Sequence, residues 1–399
     1  MAQVTWSKSR DLPHIKTVNN GLYKIIRKTE HVIYEQANLL NHNRPSTRLR
    51  NDEKNQHHPL LNQELLSALT QGYWKPKYVT EEENDRVTSQ LKRLRERKKI
   101  EYSNNTICGH AHRGYRSVCN PGDKNACCKE SRCRDISVEG CVCPTCFDER
   151  SRIYPEFHEW TPYGINIRRN VSRDVMCTGL RNLNVSSIIT IGDSLIRQIT
   201  VRFWRRVYKG PVIHLLHDYS PQELIQKCQP NATNWGSYKC WERSFVNICD
   251  GIKFFYHKIY GVTYQPKVFD DLRTLKKEHP GRMLVLTDVG LHDNFSILNV
   301  SIYLKQLFEV VKSLGETDLL YMAPYIPGLQ KSPSYKKQTL KRTIKFIKFF
   351  RTFTQDRNIS FLDPTELVKN LISSDGTHYT RGLNEAMVDI IGNYILKDI

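Results

Sequence analysis

The sequence has no uninterrupted apolar run near the roughly 18 residues that a membrane-spanning helix needs. It also has no apolar segment of the signal-peptide kind after Met1. Acidic residues are in deficit, with 41 Asp and Glu against 60 Lys and Arg, for a formal net charge of +19. This charge favours acidic partners. Because no helix-turn-helix or zinc-finger pattern accompanies it, we expect no nucleic-acid role.

Cysteine, in contrast, is abundant, with 12 residues in all and eight of them between Cys108 and Cys146. The chain also has seven Asn-x-Ser/Thr sequons, at Asn104, Asn170, Asn184, Asn231, Asn294, Asn299 and Asn358. Dense cysteines and sequons together favour an oxidising, glycosylating compartment. We therefore expect a secretory-pathway protein, in the Golgi lumen or secreted, with its targeting segment or membrane anchor upstream of this sequence.

Composition divides the chain into three predicted segments. Residues 1–103 are polar with three helix-like stretches, and we predict a helical stem or accessory region there. Residues 104–179 form a cysteine-rich module and its lead-in, with Gly, Pro, Asp and Asn between the cysteines, which is typical of turns. Residues 180–399 alternate short apolar runs with amphipathic helical patterns, which is typical of a domain with a large core.

Two chemistries compete for the cysteine module. Cys141, Cys143 and Cys146, with His110 and His112, are candidate zinc ligands. However, the paired CxxC spacing of common zinc sites is missing, which favours disulfides and no metal. Their connectivity does not follow from the sequence. The candidate cysteines are Cys108, Cys119, Cys127, Cys128, Cys133, Cys141, Cys143, Cys146, Cys177, Cys228, Cys240 and Cys249.

The third segment predicts an α/β fold. One helical pattern, "LIRQITVRFWRRV", places Ile196, Ile199 and Phe203 on one face. Strands alternating with helices predict a doubly wound, mostly parallel sheet in a flavodoxin-like three-layer arrangement. Such sheets bind ligands beyond the carboxyl ends of their strands. The strand candidates are residues 186–191, 212–216, 252–260, 283–288, 319–323 and 359–363.

Gly192-Asp193-Ser194 directly follows the first of these strands. Gly permits a sharp strand-to-helix turn, and Ser then lies where the N–H groups and dipole of a helix favour a developing oxyanion. Ser194 is therefore a candidate nucleophile whose own N–H would be an oxyanion donor. The alternative is that Asp193 or Ser194 only caps the helix.

Asp375 and His378 lie three residues apart in "SSDGTHYT", just before the last helical pattern. This spacing lets the carboxylate orient the imidazole so that its other nitrogen accepts the proton of a serine. The alternative is an Asp-Gly turn with a surface histidine.

A third motif, "LTDVGLHDN", follows the fourth strand candidate. Gly290 would let the backbone approach a ligand there, and His292 or Asn294 would donate a hydrogen bond to an oxyanion. The alternative is an ordinary loop at the end of a strand.

Together the three motifs resemble the SGNH (GDSL-type) hydrolase superfamily over residues 186–399, a little over half of the chain. "GDSLIRQ", "GLHD" and "DGTHY" are similar to its PC-esterase branch, which includes the neurexophilin and PC-esterase domain family. "CVCPTCFDERSRIYPEFHEWTP" is similar to the Cys-rich lead-in of that branch. The resemblance implies Ser194 as nucleophile, His378 as general base and Asp375 as the carboxylate that orients it.

The resemblance also implies roles around this set. His292 takes the place of the oxyanion-donating Asn of the superfamily's Gly-x-Asn-Asp block, as in a His-containing version of the block in the PC-esterase branch. The second-block Gly has two candidates, Gly251 and Gly261. Arg197 matches the branch motif and would bind an acidic substrate group, unless it is a solvated helix residue. A glycan on Asn294 would crowd the site unless its loop turns outward.

We therefore predict a luminal or secreted serine-dependent O-acyltransferase or acetylesterase that acts on glycan hydroxyls through an acyl-enzyme. The expected partner is a glycan or glycoprotein, acidic in keeping with the basic chain. We expect no bound cofactor, and an acyl donor such as an acetyl carrier if the enzyme is a transferase. The resemblance favours the transferase. The competing class is a catalytically inactive secreted binding or signalling protein that uses the cysteine module.

Overall fold

The computed structural model describes residues 62–98, 102, 107–112, 114–143, 145–208, 244–263 and 266–396. The strand candidate at 212–216 lies outside the described residues, as do the candidates Cys228, Cys240, Asn104 and Asn231. Among the described residues, no helix combines the length and apolar character needed to cross a bilayer.

The first part of the chain forms α1 (Gln63–Thr70), β1 (Gly72–Pro76), α2 (Glu81–Lys98), the short strands β2 (Ala111–His112), β3 (Tyr115–Arg116), β4 (Cys127–Lys129) and β5 (Arg132–Arg134), and β6 (His158–Pro162). The second part forms α3 (Arg173–Asn182), β7 (Val185–Gly192), α4 (Ser194–Val207), β8 (Ser244–Ile248), β9 (Ile252–Lys258), α5 (Pro266–Glu278), β10 (Arg282–Asp288), α6 (Ile297–Ser313), β11 (Thr317–Met322), α7 (Leu340–Gln355), β12 (Ser360–Leu362), α8 (Thr365–Val368) and α9 (Arg381–Ile395).

Strands β7 to β12 form one six-stranded sheet in the order β12-β11-β10-β7-β9-β8. All neighbouring strands are parallel except β8, which runs antiparallel to β9. The predicted mostly parallel α/β sheet is therefore confirmed. The chain enters the sheet centrally at β7 and later adds β9 on one side and β10 on the other. The carboxyl end of β7 thus lies at a topological switch point, where ligands bind in open α/β sheets.

The centre of the sheet is covered by apolar side chains. Every residue of β7 except Ser186 is buried, as expected for a parallel strand packed on both faces. On α4, Trp204 packs edge-to-face on Phe254 of β9, with ring centroids 5.7 Å apart. Burying a side chain such as Phe254 contributes about 1.5–3 kcal/mol to the free energy of unfolding. This packing fixes α4, and with it Ser194, on the sheet.

The strand that pairs with the lead-in comes from the segment predicted to be a stem. β1 pairs antiparallel with β6, which brings Trp74 opposite Trp160. Trp74 Nε1 donates to the Leu367 carbonyl at 2.8 Å, and Trp160 Nε1 donates to that of Leu69 at 2.9 Å. α1 and β1 belong to the same compact unit as the sheet. Strands from the two sides of the predicted boundary at residue 103 are thus paired. The sequence could not indicate this pairing, because its partners are too far apart for a local pattern to reveal.

Disulfides, rather than zinc ligation, occupy the described cysteines, as the sequence predicted. The module has little regular structure beyond the two ribbons β2–β3 and β4–β5. A fifth bridge joins α3, which spans the predicted boundary at residue 179, to the turn after β8. The pairs are Cys108–Cys128, Cys119–Cys133, Cys127–Cys141, Cys143–Cys146 and Cys177–Cys249.

Removing the Cys177–Cys249 bridge with Cys177→Ala/Cys249→Ala is expected to lower the free energy of unfolding by about 2–4 kcal/mol. The bridge joins residues 72 positions apart and so constrains the unfolded chain strongly. Urea unfolding of wild type and variant measures the change. The matched control is Cys143→Ala/Cys146→Ala, whose bridge spans 3 positions and whose loss should cost about 2–3 kcal/mol less. Equal losses would contradict the loop-length explanation.

Candidate active site

The nucleophile candidate lies at a turn that only glycine can make. β7 ends at Gly192 and α4 begins at Ser194, so Asp193 alone separates strand from helix. Gly192 has a φ of 154°, and a Cβ there would lie 2.3 Å from the carbonyl oxygen of Asp288. Ser194 takes the first helical position, where backbone N–H groups have no acceptor within the helix. Its N–H and the helix dipole are therefore placed to stabilise negative charge.

A chain of short hydrogen bonds joins the three residues predicted for catalysis. The Ser194 hydroxyl lies 2.6 Å from His378 Nε2, across 184 positions of sequence. On the other side of the ring, His378 Nδ1 lies 2.7 Å from Asp375 Oδ2. With Nδ1–H donating to the carboxylate, Nε2 is left as the acceptor for the serine proton. The side chains of His378 and Asp375 are 24% and 13% exposed, so the set lies at the edge of bulk water.

The Asp375 carboxylate is aimed by its own turn. Oδ1 accepts the backbone N–H groups of Thr377 at 2.9 Å and His378 at 2.7 Å, which leaves Oδ2 for the imidazole. Asp-Gly sequences favour such turns because the Asp side chain bonds to the backbone two residues on. Gly376 has a left-handed φ of 78°. The Asp-Gly turn and the orienting carboxylate, posed as alternatives by the sequence, are therefore one structure.

Asp193 is the residue that caps α4. Its Oδ1 accepts the Leu195 N–H at 2.8 Å, and the residue is 2% exposed. Burial raises the pKa of Asp193, while the Leu195 N–H bond and the nearby His292 oppose that rise. Because Asp193 supplies the cap, the Ser194 hydroxyl remains available to His378.

His292 lies beside the nucleophile turn. Its Nε2 is 3.6 Å from Asp193 Oδ2, and its side chain is 41% exposed. The ring packs edge-on against Tyr260, with centroids 5.1 Å apart. His292 is thus at the rim of the site, and its role as oxyanion donor stays a prediction.

Gly290 has a packing role that the sequence did not indicate, and the ligand approach predicted for it stays a prediction. It has a φ of 123°, and a Cβ there would lie 2.5 Å from the ring of Phe346. Phe346, on α7, is 1% exposed. The backbone of the Gly290 loop therefore approaches a core aromatic ring closely, whereas the sequence motif was interpreted as an approach to a ligand.

Two further predicted substrate contacts occupy different environments. Arg197, one turn into α4, is half-buried, and its charge acts on the Asp193 carboxylate and the Tyr256 hydroxyl. It is therefore not a fully solvated helix residue. Asn294 is exposed on its loop with a φ of 51°. Substrate binding by either residue stays a prediction.

The described sequon asparagines are all exposed. Those with left-handed φ angles between 49° and 53° are Asn170, Asn184, Asn294 and Asn358. Asn adopts this conformation more readily than most residues, because its short side chain bonds locally. Backbone geometry is thus a second reason for Asn at these positions, and glycosylation of these residues and of Asn299 stays a prediction.

The two second-block glycine candidates lie at opposite ends of β9. Gly251 is in the turn before the strand, and Gly261 follows its carboxyl end, near the nucleophile turn. A Cβ on Gly261 would lie 3.3 Å from Asp293 Oδ1, which accepts the Val262 N–H at 3.0 Å. The structure therefore places Gly261, and not Gly251, next to the third motif, and its role as the second-block Gly stays a prediction.

Sequence reasoning missed the support beneath the nucleophile turn. The Tyr256 hydroxyl lies 3.3 Å from the Gly192 carbonyl and 3.2 Å from that of Asp193 and donates to this pair. Asp288, at the end of β10, is fully buried, and burial together with Asp193 holds its pKa well above the usual range. An acid ending the apolar run "MLVLTD" was the available signal for Asp288, whereas Tyr256 looks like any aromatic strand residue.

No protein-family model matches the sequence, and no curated protein sequence matches it. Among solved structures it is similar to the M. smegmatis aryl esterase, with 14% identity and a TM-score of 0.32 over 54% of this chain and 100% of that one. It is also similar to a lipase/acylhydrolase from Enterococcus faecalis, with 12% identity and a TM-score of 0.28 over 53% and 96%. An extracellular lipase from Streptomyces rimosus has 9% identity and a TM-score of 0.27 over 52% and 98%. Likenesses at this level establish neither family nor activity for this chain.

Proposed function

We propose that this chain is a serine-dependent acyl-transfer enzyme of SGNH type. The observation that carries the proposal is the continuous chain from Ser194 through His378 to Asp375, with contacts of 2.6 and 2.7 Å. Nucleophile, base and orienting carboxylate in hydrogen-bond reach are the arrangement that nucleophilic catalysis requires. A helix cap or a surface histidine alone would need neither contact.

In the proposed mechanism, Ser194 Oγ attacks the ester carbonyl while His378 Nε2 takes the hydroxyl proton. The tetrahedral oxyanion is stabilised by the Ser194 N–H at the start of α4, with His292 as second donor. Collapse breaks the ester C–O bond, and His378 gives its proton to the departing alcohol. Water or an acceptor hydroxyl, deprotonated by His378, then attacks the acyl-enzyme and releases Ser194.

For the substrate, we propose an O-acetylated glycan, with the acyl group passed to another sugar hydroxyl in preference to water. The net charge of +19 and the half-buried Arg197 near the nucleophile support an acidic glycan. The disulfides support an oxidising compartment, and we propose the secretory pathway as the location. An acetyl carrier is the alternative acyl donor, and it would form the same acyl-enzyme with its own acyl bond broken in place of the ester C–O bond.

A fluorophosphonate probe tests whether Ser194 is a nucleophile. Wild type is expected to react stoichiometrically, with the adduct mapping to Ser194, and Ser194→Ala to remain unlabelled. Ser334→Ala, which removes an exposed serine outside the hydrogen-bonded set, should label as wild type does. Absence of labelling in folded protein with intact disulfides would contradict the proposal and favour the inactive binding class.

Incubation of an O-acetylated glycan with and without an acceptor sugar separates transferase from esterase. We expect acetylated acceptor as the main product and little free acetate when the acceptor is omitted. Rapid acetate release without acceptor would make the enzyme an esterase.

A further inference from the structure

A lysine that the proposed mechanism does not use is buried next to the Asp375 turn. Lys331, between β11 and α7, is 8% exposed. Its ammonium donates to Thr377 Oγ1 at 2.6 Å and to Gln338 Oε1, and it lies 4.5 Å from the centre of the Tyr335 ring. Lysine is almost never buried unless its charge is paired or hydrogen-bonded. The two acceptors and the aromatic ring therefore compensate for the burial of the Lys331 ammonium.

The two acceptors of Lys331 lead to two different loops of the site. Thr377 stands between Asp375 and His378 in the turn that aims the carboxylate. Gln338 uses its other amide atom, Nε2, to donate to the Leu291 carbonyl at 3.1 Å, and Leu291 directly precedes His292. One ammonium thus joins the loop of the base to the loop of the proposed oxyanion donor.

The backbone of Lys331 holds the same turn at closer range. A Cβ on Gly376 would lie 1.9 Å from the Lys331 backbone nitrogen, so the turn rests directly on this residue. Gly328 N–H also donates to the Gly376 carbonyl at 2.9 Å. On the opposite side, the backbone of Tyr115, in the cysteine module, forms an antiparallel β-bridge with that of Lys331. The segment that carries Lys331 is therefore held between the module and the turn.

We propose that Lys331 is a positioning residue of the acyl-transfer site, acting through Thr377 and Gln338 to hold the His378 and His292 loops in register. This inference rests on the proposed function. Catalytic groups must be held within about 0.5 Å of the productive geometry, and their own rotamers depend on surrounding hydrogen bonds of this kind. A displacement of about 1 Å costs on the order of 100-fold in rate.

The charge of Lys331 makes the proposed positioning depend on pH, which a purely structural side chain would not do. Burial lowers the pKa of Lys331 to about 8, and Asp375 opposes that shift. The other ionisable groups against this segment are Tyr335 on the segment itself and Tyr115 and Arg116 on the module. Above about pH 8 the ammonium loses its proton, and its charge-assisted bonds to Thr377 and Gln338 weaken.

The test is the second-order rate constant for fluorophosphonate labelling of Ser194 between pH 6 and pH 9.5. Lys331→Met is expected to lower it by about 10- to 100-fold and to abolish a decline near pH 8 that wild type shows. Thr377→Val and Gln338→Leu, which each cut one link, should each lower it several-fold. Lys337→Met, at an exposed lysine of the same segment, is the matched control and should behave as wild type.

Each outcome bears on one proposal. A folded Lys331→Met with the wild-type rate and pH profile overturns the role of Lys331. If Lys331→Met does not fold, Thr377→Val and Gln338→Leu decide, and wild-type rates in both overturn the role. Failure of wild type itself to label at Ser194 refutes the proposed function, a result distinct from either.

Discussion

Replacing His378 with Ala is expected to lower acetyl transfer from a small activated acetyl ester to an acceptor sugar by on the order of 10⁶-fold, as much as replacing Ser194 with Ala. The two side chains share a 2.6 Å hydrogen bond, and in the proposed mechanism neither acts without the other. The Ser194→Ala/His378→Ala double variant should therefore be no slower than either single variant. Steady-state rates, corrected for the uncatalysed reaction, measure all three.

Asp375→Asn tests the orientation of the His378 imidazole separately from the Ser194–His378 contact. Its side-chain oxygen can still accept the Thr377 and His378 N–H groups, so the turn is kept. The amide nitrogen that takes the place of Oδ2 cannot accept from His378 Nδ1–H, and the loss should be about 10⁴-fold. His279→Ala, at the opposite end of β10, is the control and should retain wild-type rates. More than a few per cent of activity left in His378→Ala would show that His378 is not the base.

The strands of the sheet were predictable to the extent that they are buried parallel strands. β7 and β10 contain short apolar runs because both faces are covered. β8 was missed because an antiparallel edge strand such as "SFVNI" has no such run. The pairing of Trp74 with Trp160 was also out of reach, because it joins segments far apart in sequence.

The proximity of Ser194, His378 and Asp375 was predictable because their motifs follow a strand or precede a helix, and parallel strand ends meet at one edge of a sheet. The contacts that require individual glycines, and the burial of individual charged residues, were not predictable. Gly290 faces Phe346, and Gly376 rests on the backbone of Lys331, contacts that exist only once the chain is folded. Lys331 itself lies in a stretch, "GLQKSPSYKKQ", whose other lysines are exposed. Its burial has no local signal.

Replacing Gly376 with Ala is expected to lower acyl transfer by more than about 100-fold and the free energy of unfolding by about 2–5 kcal/mol. The new Cβ would lie 1.9 Å from the Lys331 backbone nitrogen and 2.6 Å from the carbonyl carbon of Gln330. Since both are backbone atoms, no side-chain rotation relieves the contact, and the turn that carries Asp375 and His378 must move. Labelling rate and urea unfolding report the two effects separately.

Gly315→Ala is the matched control, because it imposes the same backbone strain without the contact. Gly315 has a φ of 68°, close to the 78° of Gly376, and a Cβ there would meet nothing within 4 Å. It precedes β11, at the amino end of the parallel strands. We expect it to cost about 1–2 kcal/mol of unfolding free energy and no activity. Equal losses of activity in the two variants would show that backbone strain alone causes the effect. The close contact between the turn and Lys331 would then not be required for acyl transfer.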